Sequence, residues 1–345
     1  MEDGTVSTYQ AMKNIIYLIP LDGIGGVEVA AQNLKNINNN FYKFDVHFIF
    51  NKKKEVFNVL KIWKSIVSIT KLSPDILIVS LWRSALVGLF VKMFKPKVKV
   101  IFFIHSEKDT HFFDFIITRL MLFFALEVWS DSRASIDNRF KFSRIKLNKK
   151  VISFNSRKIK PIKSLKNVPN FIYWGRVSRE KGIYRSLRIF KGVLHFYPNA
   201  MYKIIGHCEL DYKELRQYCT NQGVINSIEL YDEMSFEGIK NHAKSSSFYL
   251  QTSQYEGLSM SVMESMMLGL VPVATPVGEI KNYCNKFNSI LVYSEMEAIR
   301  EVVQTLRNTE VFYKMSNSAI KTWDDKISYR DSLLENCERV LGKGN

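Results

Sequence analysis

Apolar residues recur in two rhythms along this chain. Short, nearly continuous runs at 14–20, 44–50, 76–80 and 98–104 alternate with longer stretches of helical spacing. Runs apolar at almost every position read as strands buried on both faces, and such strands alternating with helices build a parallel, doubly wound sheet. The first run leads through the loop Asp22-Gly-Ile-Gly-Gly26 into a helical pattern over 27–37. After a basic, proline-bearing stretch over 157–169 the rhythm restarts. Strands are predicted at 171–174, 202–205, 248–251 and 271–274, with helices at 182–195 and 260–268. The fold class is therefore α/β, with two Rossmann-like domains expected to face each other across a cleft. We expect an N-terminal domain at 12–160, a linker at 161–169, a second domain at 170–315 and a helical tail at 316–345. That tail is expected to pack back on the N-terminal domain. Ligands of such sheets bind at the carboxyl ends of the strands.

Composition narrows the class. With 46% hydrophobic and 24% charged residues in 345, the chain is globular and long enough for two cores. Cys208, Cys219, Cys284 and Cys337 are scattered without paired spacing. They fit neither a disulfide framework nor a zinc site and read as reduced, cytoplasmic thiols. The polar residues before Lys13 do not read as a secretory signal. The most apolar long stretch, 112–129, is broken by Asp114, Arg119 and Glu127, too short a run for a membrane span, and reads as a buried helix with an interfacial helix as the alternative.

Charge is one-sided. Residues 1–170 hold 28 Lys+Arg against 13 Asp+Glu, whereas 171–345 hold 21 against 20. A basic first half suggests an anionic partner. Basic residues interleaved with aromatics, as in the segments 94–99 and 139–144, point to the inner face of the cell membrane.

Candidate chemistry centres on Tyr255-Glu-Gly-Leu-Ser-Met-Ser-Val-Met-Glu264. Glu256 and Glu264 flank a turn in which Gly257, Leu258 and Ser259 bring backbone amides to a ligand, and the following helix offers its positive end to a diphosphate. Ser261-x-x-Glu264 equally fits a capping box, and the residues alone leave both readings open. A second block, Trp174-Gly-Arg-Val-Ser-Arg-Glu-Lys-Gly182, supplies Arg176 as a fork and Lys181 as a point charge. As a dinucleotide fingerprint the first loop fails, because Glu28 stands where a small residue should pack.

The spacing of seven residues between Glu256 and Glu264, followed by Gly269-Leu-Val-Pro-Val-Ala-Thr-Pro-Val-Gly278, resembles the retaining glycosyltransferases of the GT-B architecture (glycosyltransferase group 1, E-x7-E type). The 174–182 block resembles that family's G-R-x-x-x-E-K-G segment, and Gly25-Gly26-Val-Glu28 its N-terminal G-G-x-E loop. The resemblance covers about 13–40, 98–135 and 170–295. It departs at Gly206-His-Cys208, at Glu279 and Asn282, and at 286–292, where further glycines or a glutamate are usual.

The resemblance implies catalytic roles for Glu256, His105, Arg176 and Lys181. It implies substrate contacts at Gly25, Gly26, Glu28, Gly175, Gly206, Gly257, Leu258, Ser259 and Glu264. A hexose would pass from a UDP-sugar, or from GDP-mannose, to a saccharide or polyprenyl-linked saccharide acceptor. The setting would be synthesis of bacterial O-antigen, capsule or lipopolysaccharide. No aspartate pair forms a metal clamp in the sequence, so no cofactor and no metal are expected. Replacing Glu256 with Ala is expected to abolish transfer with little loss of folding. The alternatives are a nucleotide-sugar epimerase of the same architecture and a basic nucleic-acid-binding protein. The latter lacks any recognisable module, so no nucleic-acid partner is expected.

Overall fold

The computed structural model describes residues 12–23, 26–35, 37–38, 41–106, 108–141, 143, 145–146, 148–153, 155, 159–162 and 165–342. They form two compact units, one of Met1–Ser156 with Ile327–Asn345, the other of Arg157–Lys326.

The N-terminal unit is built on β1 (Lys13–Leu21), β2 (Ile37–Asn38), β3 (Tyr42–Phe50), β4 (Ile76–Ser80), β5 (Lys99–Ile104), β6 (Glu127–Ser130) and β7 (Lys149–Val151). Their order is β2-β3-β1-β4-β5-β6-β7, with β2 antiparallel to β3 and the other pairs parallel. Ile15 to Ile19 are all buried, as an apolar run covered on both faces requires. Helices α1 (Gly26–Gln32), α2 (Val59–Leu72), α3 (Leu81–Phe94), α4 (Phe112–Phe124) and α5 (Arg133–Arg139) connect the strands.

The C-terminal unit repeats the plan with β8 (Phe171–Trp174), β9 (Tyr202–Ile205), β10 (Ile228–Tyr231), β11 (Phe248–Gln251), β12 (Val271–Ala274) and β13 (Ile290–Leu291). All pairs are parallel, in the order β10-β9-β8-β11-β12-β13. The helices are α6 (Ile183–Phe196), α7 (Tyr212–Asn221), α8 (Phe236–Ala243), α9 (Met260–Leu268), α10 (Ile280–Tyr283), α11 (Glu295–Arg307) and α12 (Thr309–Asp324). Strand order reverses between β1 and β4 in one unit and between β8 and β11 in the other. Ligands of open α/β sheets sit at such switch points.

The strands predicted at 76–80, 171–174, 202–205, 248–251 and 271–274 coincide with those observed. Three expectations differ. The tail does not begin at Ser316, which lies inside α12, where its hydroxyl donates to the Gly269 carbonyl at 2.6 Å and Trp323 meets the Tyr283 ring. The returning segment is α13 (Tyr329–Leu341). It belongs to the N-terminal unit, with Arg339 on Glu127 at 2.6 Å and Lys99 donating to the Val340 carbonyl. Residues 161–169, expected as a linker, lie within the C-terminal unit, where Ile162 donates its amide to the Leu268 carbonyl. Finally, α4 is not a buried helix: several of its aromatic side chains face solvent.

Division by structural unit also spreads the charge. The N-terminal unit holds 26 Lys+Arg against 16 Asp+Glu, and the C-terminal unit 23 against 17. Residues 157–166 carry five cations that belong to the second unit.

Leu333 of α13 is wholly buried. Leu333→Ala should cost about 2–5 kcal/mol. Calorimetry should show this as an earlier transition of the N-terminal unit, with the C-terminal transition unmoved.

Candidate active site

The switch point of the C-terminal sheet gathers the sequence-predicted carboxylates. Glu256 follows β11, and its Oε1 accepts from Lys181 Nζ at 2.6 Å, from Gln251 Nε2 at 2.7 Å and from Ser253 Oγ at 2.7 Å. Its side chain is 7% exposed and that of Lys181 22%. A carboxylate this sheltered needs a cation and further donors to offset lost hydration. All three bonds fall on one oxygen. Among the described contacts, Oε2 receives no hydrogen bond.

Gln251 joins this cluster to the start of α9, because its Nε2 also donates to Ser259 Oγ at 2.9 Å. Ser259 is the N-cap of α9 and sits in the left-handed region at φ 59°, and no side chain caps the helix. Ser261, already inside the helix, donates to Gln251 Oε1 at 2.9 Å. The capping box that the sequence allowed is therefore not formed. Glu264 instead accepts from the indole N–H of Trp174 at 3.0 Å. Trp174 ends β8, so Glu264 is held against the other strand of the switch point.

Burial pushes the phenols of Tyr249 and Tyr283 well above their ordinary range. Both remain donors, Tyr249 to Gln251 Oε1 at 2.6 Å and Tyr283 to the Leu258 carbonyl at 2.6 Å. The loop carrying Glu256, Gly257 and Leu258 is thus pinned from a second segment. The Glu279 amide donates to the Gly257 carbonyl at 2.9 Å. Gly278 has φ 58°, and a Cβ there would lie 2.0 Å from the Glu256 carbonyl oxygen. Gly182, with φ 72°, meets Thr252 as closely, a Cβ falling 1.9 Å from its carbonyl oxygen. Only a residue without a side chain lets these loops touch.

Gly175 and Gly206 follow β8 and β9, where the Gly175 amide donates to the Ile205 carbonyl and the Gly206 amide to that of Tyr231. Arg176 stands apart from the Lys181–Glu256 pair. Its exposed guanidinium pairs with Glu209 at 3.1 Å, an interaction worth at most about 1 kcal/mol in water and easily exchanged.

In the N-terminal unit, His105 follows β5 and is almost fully buried. Its Nδ1 lies 3.0 Å from Asp131 Oδ2, and its Nε2 3.1 Å from Ser80 Oγ. Ser80 in turn meets the Tyr17 hydroxyl at 2.9 Å, and Tyr329 of α13 donates to Tyr17 at 3.3 Å. Burial above all pushes the Tyr17 phenol up, with the Asp131 and Glu28 carboxylates adding to it. Glu28 stands in the first turn of α1, which Gly26 opens. Gly25 lies outside the described residues.

Sequence reading missed Trp174, Gln251, Ser253 and Tyr283 as parts of the site, and Asp131 and Ser80 as partners of His105. The available signal was polar residues ending apolar strands: Gln251 closes β11, Ser80 closes β4 and Asp131 follows β6.

Gly278→Ala should strain the 256–259 loop by roughly 1–3 kcal/mol. A lowered melting temperature of the C-terminal unit checks this, and an unchanged one would show that the loop yields freely.

Residues 155–322 match the family model described as glycosyl transferases group 1. A GDP-mannose:cellobiosyl-diphosphopolyprenol alpha-mannosyltransferase of Xanthomonas oryzae pv. oryzae is 23% identical over 138 residues, 39% of this chain and 36% of that protein. The chain thus aligns with about a third of that curated relative's length. Among solved structures, Alr3699/HepE of Anabaena in complex with UDP and glucose superposes with a TM-score of 0.78 at 16% identity. It covers 96% of this chain and 100% of the other. The lipopolysaccharide outer core galactosyltransferase WaaB gives 0.65 at 16% identity, again over 96% and 100%. With the group 1 family model matched over residues 155–322 and two doubly wound sheets superposing on solved glycosyltransferases, this chain has the GT-B fold, and its C-terminal unit is similar to the glycosyl transferases group 1 family.

Proposed function

We propose that the protein is a retaining hexosyltransferase. It moves a hexose from a nucleoside diphosphate sugar to a saccharide or polyprenyl-linked saccharide acceptor in bacterial surface polysaccharide synthesis, whether O-antigen, capsule or lipopolysaccharide. The observation that carries this reading is the Lys181–Glu256 pair. Two residues 75 positions apart meet at 2.6 Å at the switch point, beside an α9 N-terminus without a side-chain cap. Lys181 and the α9 amides favour the diphosphate and its growing charge as the bond to the sugar breaks. Arg176 adds a guanidinium once it leaves Glu209. Glu256 accepts a sugar hydroxyl through Oε2, and Glu264 accepts from the ribose.

Among the described residues no side chain is placed as a covalent nucleophile, so the leaving phosphate assists attack on the same face. These cations come from the chain, and the reading requires no metal. His105, oriented by Asp131, serves the transferred sugar, and Gly25, Gly26 and Glu28 serve the acceptor. A UDP-sugar is the first donor to test, because the superposed Anabaena protein is described with UDP. GDP-mannose is the second, after the Xanthomonas relative. The same relative, named for a diphosphopolyprenol, supports a lipid-linked acceptor at the inner face of the membrane, where a basic N-terminal unit suits anionic headgroups.

UDP at a hundredfold excess over its Kd should stabilise the protein by about 2.7 kcal/mol. The shift should survive EDTA, and a panel in which neither UDP nor GDP moves the melting temperature would sink the donor assignment. Glu256→Gln should lower transfer on the order of a hundredfold while nucleotide binding persists. The anomeric configuration of the product, read by NMR, checks retention. Glu256→Ala is a poorer test than the sequence suggested. It strands the Lys181, Gln251 and Ser253 donors and should cost roughly 2–4 kcal/mol of stability.

A further inference from the structure

Helix α4 buries Ile117, Met121 and Leu122 in the core and still turns a second apolar face outward. Asp114 and Thr118 point inward, where Thr118 donates to Asp114 at 3.0 Å and Arg139 pairs with Asp114 at 2.6 Å. The outward positions are Phe112, Phe113, Ile116, Leu120, Phe123 and Phe124, with Phe112 70%, Phe113 65% and Phe123 69% exposed. Their spacing of three and four residues makes one unbroken apolar stripe. A water-soluble surface normally places charges there, and a contiguous apolar face of this size marks a contact.

The stripe does not stand alone. Phe113 neighbours His111, which meets the Trp82 ring edge-on with centroids 5.0 Å apart. The Arg83 guanidinium lies over both Trp82, at 4.2 Å, and Phe57, at 5.5 Å. Phe57 leads into α2, where Val59, Leu60 and Trp63 are exposed as well. A single aromatic surface therefore runs across the N-terminal ends of α2, α3 and α4. These helices follow β3, β4 and β5, so the surface starts at the carboxyl edge of the sheet, the edge that also carries His105, and α4 carries it on through Leu120, Phe123 and Phe124 toward the edge where β6 begins.

Its charges are those of a surface for anions. Residues 52–124 hold 13 Lys+Arg against 5 Asp+Glu. The described carboxylates are neutralised: Glu55 by Lys61, Asp75 by Lys13, Asp109 by Arg119 and Arg139, and Asp114 by Arg139. Lys52, Lys54 and Lys64 are exposed and flank the Phe57–Trp63 segment in the chain.

Building on the lipid-linked acceptor proposed above, we propose that this face docks on an anionic lipid bilayer, with the α4 stripe and the Phe57–Trp63 segment inserted among the headgroups and the lysines on lipid phosphate. Apolar side chains rimmed by cations are what an interfacial helix needs. No helix among the described residues is long and apolar enough to cross a membrane, so the contact is one-sided. Insertion, rather than charge alone, holds the protein, with the edge that carries His105 at the Phe112–Phe113 end of the inserted stripe.

Flotation of the full chain with phosphatidylglycerol-rich and with pure phosphatidylcholine vesicles tests this. The expected result is strong binding to the first that persists in part at about 0.5 M sodium chloride, where charge attraction is screened. F113S/F123S, altered only at exposed positions, should weaken binding about tenfold or more. K52E/K64E should weaken it at low salt alone. Three results would each overturn the proposal: no vesicle binding, binding lost entirely in salt, or F113S/F123S binding as the parent does. So would a stable dimer in solution that F113S/F123S dissociates while vesicle binding stays absent. The UDP-induced thermal shift of F113S/F123S should match the parent's. Failure of the donor reading would abolish that shift in both proteins and leave flotation unchanged, so the two failures are told apart.

Discussion

A single carboxylate oxygen organises the C-terminal unit. Glu256 Oε1 accepts three hydrogen bonds in a largely water-excluded position, and removing any donor leaves part of a buried charge unmatched. The loop after β8 must deliver Lys181, β11 must end in Gln251 with Ser253 two residues on, and α9 must begin where Ser259 reaches Gln251. The glycines at 182 and 278 follow from the same constraint, because loops drawn this close leave no room for a Cβ. The arrangement also leaves one oxygen of Glu256 and the amides of α9 beside each other, the pair of features a phosphorylated sugar needs.

The N-terminal unit is organised differently. It carries a line of neutral and charged hydrogen-bonding groups, Tyr329, Tyr17, Ser80, His105 and Asp131, drawn from the middle of β1, three strand ends and the returning helix. Both nitrogens of His105 are occupied, so the ring is fixed in orientation by its neighbours. The same unit exposes one apolar face of α4, while the other buries Ile117, Met121 and Leu122 beside the Asp114–Arg139 pair. An apolar face left outward in this way is the mark of a contact surface.

Much of the fold was legible beforehand. Strands with two buried faces must be apolar throughout, so β1, β4, β8, β9, β11 and β12 declare themselves against any background. The short edge strands β7, β10 and β13 did not, because edge positions are partly solvated and carry residues such as Lys149 and Glu229. Glu256 and Lys181 were legible through their motifs, but their contact was not, since nothing local in sequence links residues 75 apart. The 112–129 stretch misled for a related reason. Periodicity reports that a helix has an apolar stripe, and it is silent on whether that stripe faces the core or the outside.

Sequence by itself determined two doubly wound sheets, the restart of the pattern near residue 170 and the two carboxylates worth watching. These are properties of local periodicity and residue chemistry, which neighbours along the chain express. Tertiary structure decided the rest. It turned Ser261-x-x-Glu264 from a capping box into two contacts with different strands. It set the start of the returning helix at Tyr329, gave His105 its partners and turned one apolar face of α4 outward. Each of those outcomes is a competition among distant groups for burial and hydrogen bonds, and only the folded chain brings the competitors together.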